Sequence, residues 1–180
     1  MPTYAEQLVG GHPNSLGSTV AVVEDVLARP EKITELYACY ASPDEVVRLR
    51  TSNAFKRIAK TKPELVAPFL DKFIGEVSRI NQASAQWTLA QLFLILDNYV
   101  TSEQKARITP HFQKNLHHSD WIVLNATMEV LTHHAKGNSE LRDWLLSALP
   151  KLTRDERKSV RRRAEKYLET IKKYPDAKSG

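Results

Sequence analysis

Five of the six histidines lie in one stretch of the chain, and imidazole is a common metal ligand. They are His111, the pair His117-His118 and the pair His133-His134. Adjacent rings on a helix point about 100° apart, and none of these histidines has the His-Glu or Glu-x-x-His spacing of helical metal sites. We therefore predict no metal and no cofactor, and we expect these rings to be solvated or to lie near helix carboxyl ends, where positive charge is favoured.

No combination of nucleophile, base and phosphate-binding loop is present in the sequence. Gly-x-Ser-x-Gly is missing, and the glycines occur singly or in pairs at turns. Paired carboxylates such as Asp44-Glu45 and Asp155-Glu156 fall in first turns of predicted helices, where they complement the helix dipole. Cys39 is the only cysteine, which excludes an intrachain disulfide and suits a reducing compartment. We predict a protein that is not an enzyme.

The positive charge is concentrated near the carboxyl end. Residues 151–180 hold eleven Lys/Arg and five Asp/Glu, a net of +6, although the whole chain has a formal net charge of only +5. The densest part is a basic patch formed by Lys158, Arg161, Arg162, Arg163 and Lys166. Glutamates on the same predicted helix are spaced for ordinary ion pairs, so we favour a solvated end cap over nucleic-acid binding.

Three tryptophans could fill the core or anchor a binding surface, since indole rings do both. Trp144 follows the apolar face of its helix and is predicted to be a core residue. Trp121 falls in the first turn of a helix whose apolar face is supplied by other residues, so we expect it to be exposed. Trp121 and Trp87 are our predicted partner-binding anchors, with Arg48 and Arg50 as flanking groups.

The side chains discussed above are predicted to lie on helices or between them. The same helical spacing of apolar residues occurs four times in the sequence. Its first buried position is predicted at Val47, Ala85, Val123 and Val160, at intervals of 38, 38 and 37 residues. A period in this range, with helical apolar spacing inside each unit, is typical of a helical solenoid whose units bury their faces by stacking. We predict nine helices and no strands.

Capping boxes, in which Ser or Thr precedes Glu or Gln by three residues, predict the helix starts. Four such pairs occur: Ser42 with Glu45, Thr61 with Glu64, Thr101 with Gln104, and Thr153 with Glu156. We expect Pro110 to kink or interrupt its helix and Pro150 to end the next one. Residues 1–17 are predicted to be an irregular arm, 18–174 a single repeat domain and 175–180 a disordered tail.

The recurring residues resemble the HEAT repeat. In that family the first helix of each pair carries an Asp, then Val-Arg, then small and large apolar residues, as at Asp44, Val47-Arg48, Thr51 and Ala54-Phe55. The fourth copy, with Val160-Arg161, is similar. In the middle copies Gln82 replaces the Asp, and Gln86 and Leu124 replace the Arg.

The resemblance covers residues 18–173, and the runs 86–91 and 120–125 are similar to a group of small bacterial HEAT-like proteins. It implies an all-α, right-handed α-α superhelix, a HEAT/ARM-type solenoid of about four to five helix pairs. It also implies a non-enzymatic scaffold whose second helices line a shallow groove for another protein or peptide.

An alternative function is suggested by the HEAT-like alkylpurine DNA glycosylases, which this chain also resembles. Those enzymes grip a damaged duplex with a basic concave face, and their catalytic Trp and Asp have no matching pair here. The sequence shows no signal peptide and no run of about 18 apolar residues. We therefore expect a cytoplasmic protein without membrane contact, present as a monomer or a weak homodimer.

Overall fold

The computed structural model describes residues 1–175, and every regular element in that range is helical. The α-helices are α1 (Tyr4–Leu8), α2 (Thr19–Ala28), α3 (Ile33–Ala38), α4 (Glu45–Thr61), α5 (Pro63–Val66), α6 (Leu70–Gly75), α7 (Ala83–Ile95), α8 (Ser102–Asn115), α9 (Trp121–Ala135), α10 (Ser139–Leu152) and α11 (Lys158–Lys172). Short 3₁₀ turns occupy Pro30–Lys32, Cys39–Ala41, Ala67–Phe69, Val77–Arg79 and Asp97–Tyr99.

The predicted all-α class is confirmed, but the number of helices is not. The described residues hold eleven α-helices rather than nine. Helix α1 lies within the arm that we predicted to be irregular, and a 3₁₀ turn separates α5 from α6, which makes two helices of the segment after α4. That turn contains Pro68, which cannot donate a backbone hydrogen bond.

The chain divides into two compact units, Met1–Gln104 and the part that begins at Lys105. In the first unit α4 packs against both α2 and α7, and in the second α11 packs against α9 and α10. The core of the first unit includes five aromatic rings whose contacting centroids are 5.2 to 6.4 Å apart: Tyr37, Tyr40, Phe55, Phe69 and Phe73. The predicted single domain, residues 18–174, stays a prediction.

The predicted repeat alignment is confirmed by burial. The four aligned positions, Val47, Ala85, Val123 and Val160, are all buried, with at most 1% of each residue exposed. The N-cap residues of the four first helices also align, at Asp44, Gln82, Asp120 and Arg157.

Of the four helices that carry the aligned positions, α4, α7 and α11 are each tied to the preceding segment by a side chain in their first turns, and α9 is not. Arg48 donates to the Ser42 carbonyl at 2.6 Å, and Arg161 donates to the Asp155 carbonyl at 2.8 Å. In the second copy Gln86 donates to the Ile80 carbonyl at 2.8 Å, again six residues back. A glutamine amide thus replaces the HEAT arginine as a donor, whereas Leu124 in α9 has no side-chain donor.

Neighbouring first helices in unit 1 are linked by Arg48 and Gln82. The Arg48 Nε donates to Gln82 Oε1 at 2.7 Å, and the Gln82 amide donates to the Glu45 carbonyl at 2.9 Å. A hydrogen-bonded Arg–Gln pair therefore joins these two helices.

Of the four predicted capping boxes, only that of Thr101 and Gln104 forms. Each of the two residues accepts the other's backbone N–H at 3.1 Å. The prediction for Ser42 is wrong because the Asp44 carboxylate caps α4 instead, accepting the Val46 N–H at 2.8 Å. The Asp44 carboxylate also places a negative charge at the positive end of the helix dipole.

The other two predicted helix starts are also wrong. Thr61 is the last residue of α4, and Pro63, with its fixed φ, provides the first residue of α5. Thr153 is the C-cap of α10, because Pro150 does not end that helix, which continues to Leu152. Helix α8 likewise continues through Pro110.

The arm is held by Arg50. Its guanidinium donates to the carbonyls of Leu8, Gly10, His12 and Ser15 at 2.6 to 3.4 Å. Gly17 has a φ of +50°, and a Cβ there would lie 2.8 Å from the Arg50 Cζ. The close approach of the arm to the guanidinium therefore requires glycine at this position.

Two further expectations concern the tail and the membrane. The predicted disordered tail, 175–180, lies outside the described residues apart from Pro175. Within residues 1–175 no helix has both the length and the apolar character that a membrane crossing requires.

Candidate partner-binding surface

Three cavities open where segments from successive second helices meet. We call α3, α5–α6, α8 and α10 the second helices, because each follows one of the first helices α2, α4, α7 and α9. One cavity lies in the first unit and two adjoin in the second. The sequence predicts that the second helices line a groove, and in each unit the second helices do border cavities.

The cavity of the first unit, which we call the tyrosine cleft, has a volume of about 370 Å³. It lies between the end of α3 and the segment after α6, and its lining residues are Tyr37, Ala38, Tyr40, Ala41, Glu76, Val77 and Ile80. The tyrosine rings meet edge to face with centroids 5.6 Å apart. Both tyrosines are 8% exposed, so they form walls rather than projecting into solvent.

Glu76 contributes the charge of the tyrosine cleft. The Tyr37 hydroxyl donates to Glu76 Oε2 at 3.0 Å. Burial, and then this hydrogen bond to a carboxylate, raise the pKa of Tyr37 well above its usual range. The phenol therefore stays protonated and keeps donating at neutral pH.

The two cavities of the second unit share Trp144 as a lining residue, and we call them together the tryptophan groove. One part, about 310 Å³, is lined by Ala106, Thr109, Pro110, Gln113, Asn138, Glu140, Leu141 and Trp144. The other, about 260 Å³, is lined by Leu116, His117, Trp144, Ser147, Ala148, Lys151 and Leu152. Trp144 is thus a partly exposed wall of both cavities. The prediction that it is a core residue is wrong.

The rim of the tryptophan groove offers hydrogen-bonding and charged groups. Glu140 lies at one end, and His117 and Lys151 lie at the other. Pro110 has no N–H to donate to the Ala106 carbonyl one turn earlier, and both residues line the groove. A segment that fills this groove would meet apolar walls between groups of opposite charge.

The predicted anchors lie on first helices rather than on this surface. Trp121 is the first residue of α9 and is 49% exposed, as expected from its place in the first turn. Trp87 lies in α7 and is partly exposed. Their part in partner binding stays a prediction.

The predicted flanking arginines are both engaged within the fold. Arg48 is partly buried and holds Ser42 and Gln82, as described above. Arg50 is only 2% exposed, and its guanidinium holds the arm, so it cannot flank an exposed tryptophan. That prediction is corrected, because a buried guanidinium with carbonyl partners is not accessible to a partner protein.

The predicted basic patch on α11 is only partly available for a ligand. Arg161 donates to the Asp155 and Glu156 carbonyls at 2.8 and 2.9 Å, and Arg163 lies 3.9 Å from a Glu129 carboxylate oxygen. Lys166 lies over the Tyr167 ring, 5.6 Å from its centroid. Lys158 and Arg162 are exposed.

The histidines do not meet at a metal-binding geometry. Over the described part of the chain, no three His, Cys, Asp or Glu side chains lie where they could share a metal ion. His118 has a structural use, since its Nδ1 accepts the Asp120 N–H at 2.9 Å. Burial, and then the nearby Lys114, lower the pKa of His111 and keep its imidazole neutral at pH 7.

Sequence reasoning missed both cavities, although a local signal exists for each. In the tyrosine cleft, Tyr37 and Tyr40 are each followed by an exposed alanine, Ala38 and Ala41. Because alanine is small and these alanines are exposed, solvent-accessible space remains beside each tyrosine ring, whereas a ring in the core is surrounded by other side chains. Trp144 has a similar setting, with Ala148 one turn later and Ala106 on the facing helix.

The solved structures that are similar to this chain include an engineered protein and a designed repeat protein. An engineered protein solved by the Northeast Structural Genomics Consortium matches with a TM-score of 0.66 and 18% sequence identity, over 94% of this chain and 79% of that chain. A designed armadillo repeat protein matches with a TM-score of 0.57 and 16% identity, over 93% of this chain and 80% of that chain. No family model and no curated protein matches the sequence. At these identities the likeness confirms the helical-repeat fold alone.

Proposed function

We propose that this chain is a non-enzymatic, protein-binding scaffold of the HEAT/ARM type, which holds another protein or peptide on its second helices. The observation that carries the proposal is the place of the cavities. They lie between second helices in both units, and each has an aromatic wall. Large aromatic side chains in partly open pockets are the usual anchors of protein interfaces.

Trp121 and Trp87 are proposed as additional contacts on the first helices. The exposure of Trp121 supports this role, since an accessible indole is a common anchor of protein interfaces. A cytoplasmic location and a monomeric or weakly dimeric state also belong to the proposal.

Site-specific cross-linking tests the proposed surface. A photoreactive amino acid is placed at Ala41, in the tyrosine cleft, or at Ser147, in the tryptophan groove; both positions are exposed. Matched controls carry it at Lys60 in α4 and at Glu165 in α11, which are equally exposed and line neither cavity. We expect extracts of the native host to give a discrete cross-linked protein at Ala41 or Ser147 and none at the controls. Equal labelling at all four positions would contradict the proposal.

Nucleic-acid binding is the second candidate, and the observation that favours it is the exposure of Lys158, Arg162 and Lys166 on one helix. Phosphate contacts make affinity fall steeply with salt. A labelled DNA duplex titrated at low and moderate salt tests this candidate, with Arg162→Glu combined with Lys166→Glu as the variant. Binding that the double variant abolishes would favour the nucleic-acid function over the scaffold.

A further inference from the structure

The tyrosine cleft combines apolar walls with one carboxylate. Ala38, Ala41, Val77 and Ile80 supply aliphatic surface, the two tyrosines supply ring edges, and Glu76 alone among the lining residues carries a charge. A ligand that fits must therefore be apolar over most of its length and positive at one end. Lysine and arginine side chains have this form, because their aliphatic stems pack on apolar surface while the head remains charged.

The Glu76 carboxylate is positioned rather than freely rotating. The Tyr37 hydroxyl donates to Oε2 at 3.0 Å, which fixes one oxygen at the wall of the cleft. A carboxylate has about four acceptor positions, so this bond leaves most of its accepting capacity for a ligand. Charge-assisted hydrogen bonds from an ammonium or a guanidinium are stronger than bonds between neutral groups.

The surroundings of the cleft already hold one cation. Lys72 Nζ lies over the Tyr37 ring, 5.0 Å from its centroid, and 5.8 Å from that of Phe69. Aromatic rings attract cations in this position. The first unit as a whole is also acidic, since residues 1–104 hold ten Lys/Arg and twelve Asp/Glu. The Lys72 ammonium beside Tyr37 repels a second cation, so the attraction of the cleft for a basic side chain comes from the Glu76 carboxylate.

We propose that the tyrosine cleft binds a lysine or arginine side chain of the partner, with the stem between Ala38, Ala41, Val77 and Ile80 and the head on Glu76. This inference rests on the proposed function in one respect: it takes the cation to be part of a protein. The chemistry of the cleft can be tested without the partner.

The test uses a short peptide, acetyl-Gly-Gly-Lys-Gly-Gly-amide, and two relatives with norleucine or glutamate at the central position. Norleucine keeps the alkyl stem and removes the charge. Each peptide is titrated into the full-length protein while the methyl resonances of Ala38, Ala41, Val77 and Ile80 are followed by NMR. We expect saturable shifts of these methyls with the lysine peptide and at least about threefold weaker binding of the other two.

A matched pair of variants separates the cleft from general electrostatics. Glu76→Gln and Glu64→Gln remove the same charge from exposed positions of the same unit, and Glu64 does not line the cleft. We expect Glu76→Gln to weaken binding of the lysine peptide about three- to fivefold and Glu64→Gln to leave it unchanged. Equal effects of the two variants, equal binding of the norleucine peptide, or no methyl shifts would overturn the inference.

The two proposals can fail separately. Lysine-peptide binding that depends on Glu76, together with no cross-linked partner at either Ala41 or Ser147, would support the cleft and contradict the scaffold function. A partner cross-linked at Ala41, together with no preference for the lysine peptide, would support the scaffold function and contradict the proposed binding of a basic side chain in the cleft.

Discussion

Arg50 is a residue whose single side chain organises an entire segment. Residues 9–18 are almost all exposed, so apolar burial contributes little to holding them. Four arm carbonyls instead accept hydrogen bonds from one buried guanidinium. A guanidinium presents five donors in a fixed plane, so it can satisfy several carbonyls that a lysine could not reach together.

We predict that Arg50→Ala lowers the free energy of unfolding by about 2 to 3 kcal/mol, because it removes charged donors from buried acceptors. The measurement is urea denaturation, combined with limited proteolysis of residues 9–18. Arg57→Ala is the matched control, since Arg57 lies on the same helix, is exposed and bonds Asn53 within that helix. Equal changes in the two variants would mean that the arm is held by other contacts.

Asp155 makes the stability of the fold depend on pH in the acid range. Its carboxylate accepts two hydrogen bonds from the Arg157 side chain at 2.8 Å and one from the Arg157 backbone at 2.9 Å. The Arg157 side chain in particular lowers the pKa of Asp155 from 3.8 to about 2. Because the folded pKa is depressed, the ionised carboxylate stabilises the fold fully above pH 4, and this contribution is lost as the pH falls through about 2.

We predict that Asp155→Asn lowers the melting temperature by a constant amount above about pH 5 and that this difference disappears as the pH falls from about 4 to 2. Melting curves of both proteins across this range provide the measurement. Asp143→Asn, at a side chain that is 68% exposed, serves as the control. A gap between wild type and Asp155→Asn that does not change with pH would contradict the assignment.

At the scale of elements, the first helices bury apolar side chains at equivalent positions. Phe55, Phe93 and Leu131 are aligned residues and are fully buried. We predict that Phe93→Ala destabilises the protein by about 3 to 5 kcal/mol, because the surrounding helices cannot collapse onto the space that the ring leaves.

Chemical denaturation measures this prediction, with Lys60→Ala as a surface control expected to stay within about 0.5 kcal/mol of wild type. Similar midpoints for Phe93→Ala and Lys60→Ala would mean that α7 contributes little to the core. The prediction depends only on the repeat alignment, which burial at Val47, Ala85, Val123 and Val160 supports.

The core positions could be predicted from the sequence because the same apolar spacing occurs four times, and each copy supports the others. The helix starts could not, because several polar residues near each start compete for the same amides. Ser42 and Asp44 both accept backbone N–H groups at the start of α4, and the sequence alone does not rank them. The cavities were missed because each depends on the space between two helices from different repeats, as at Trp144.

At the scale of the whole molecule, the two units differ in charge. Residues 1–104 have a net charge of −2, from ten Lys/Arg and twelve Asp/Glu, and residues 105–180 have +7, from sixteen and nine. Charged surfaces steer association and make its rate depend on salt. A partner that uses both units would need basic groups for the first and acidic groups for the second.

We predict that Trp144→Ala weakens capture of a cross-linked partner at least about tenfold, because the indole forms a wall of two adjoining cavities. Trp121→Ala is compared in the same binding assay and should have a smaller effect. Far-UV circular dichroism and melting curves check that both variants are folded. Loss of capture with Trp121→Ala and none with Trp144→Ala would move the interface to the first helices.

In three repeats a side-chain N–H donates to the backbone carbonyl six residues earlier, and this bond bears on how the sequences of such repeats can differ. Arg48, Gln86 and Arg161 make the same bond with different side chains, so the bond needs a long side chain with an N–H group and does not need a charge. Arginine and glutamine can therefore replace each other at this position without loss of the hydrogen bond. A sequence profile that rewards arginine alone would lose such copies, whereas one that scores any long donor would retain them.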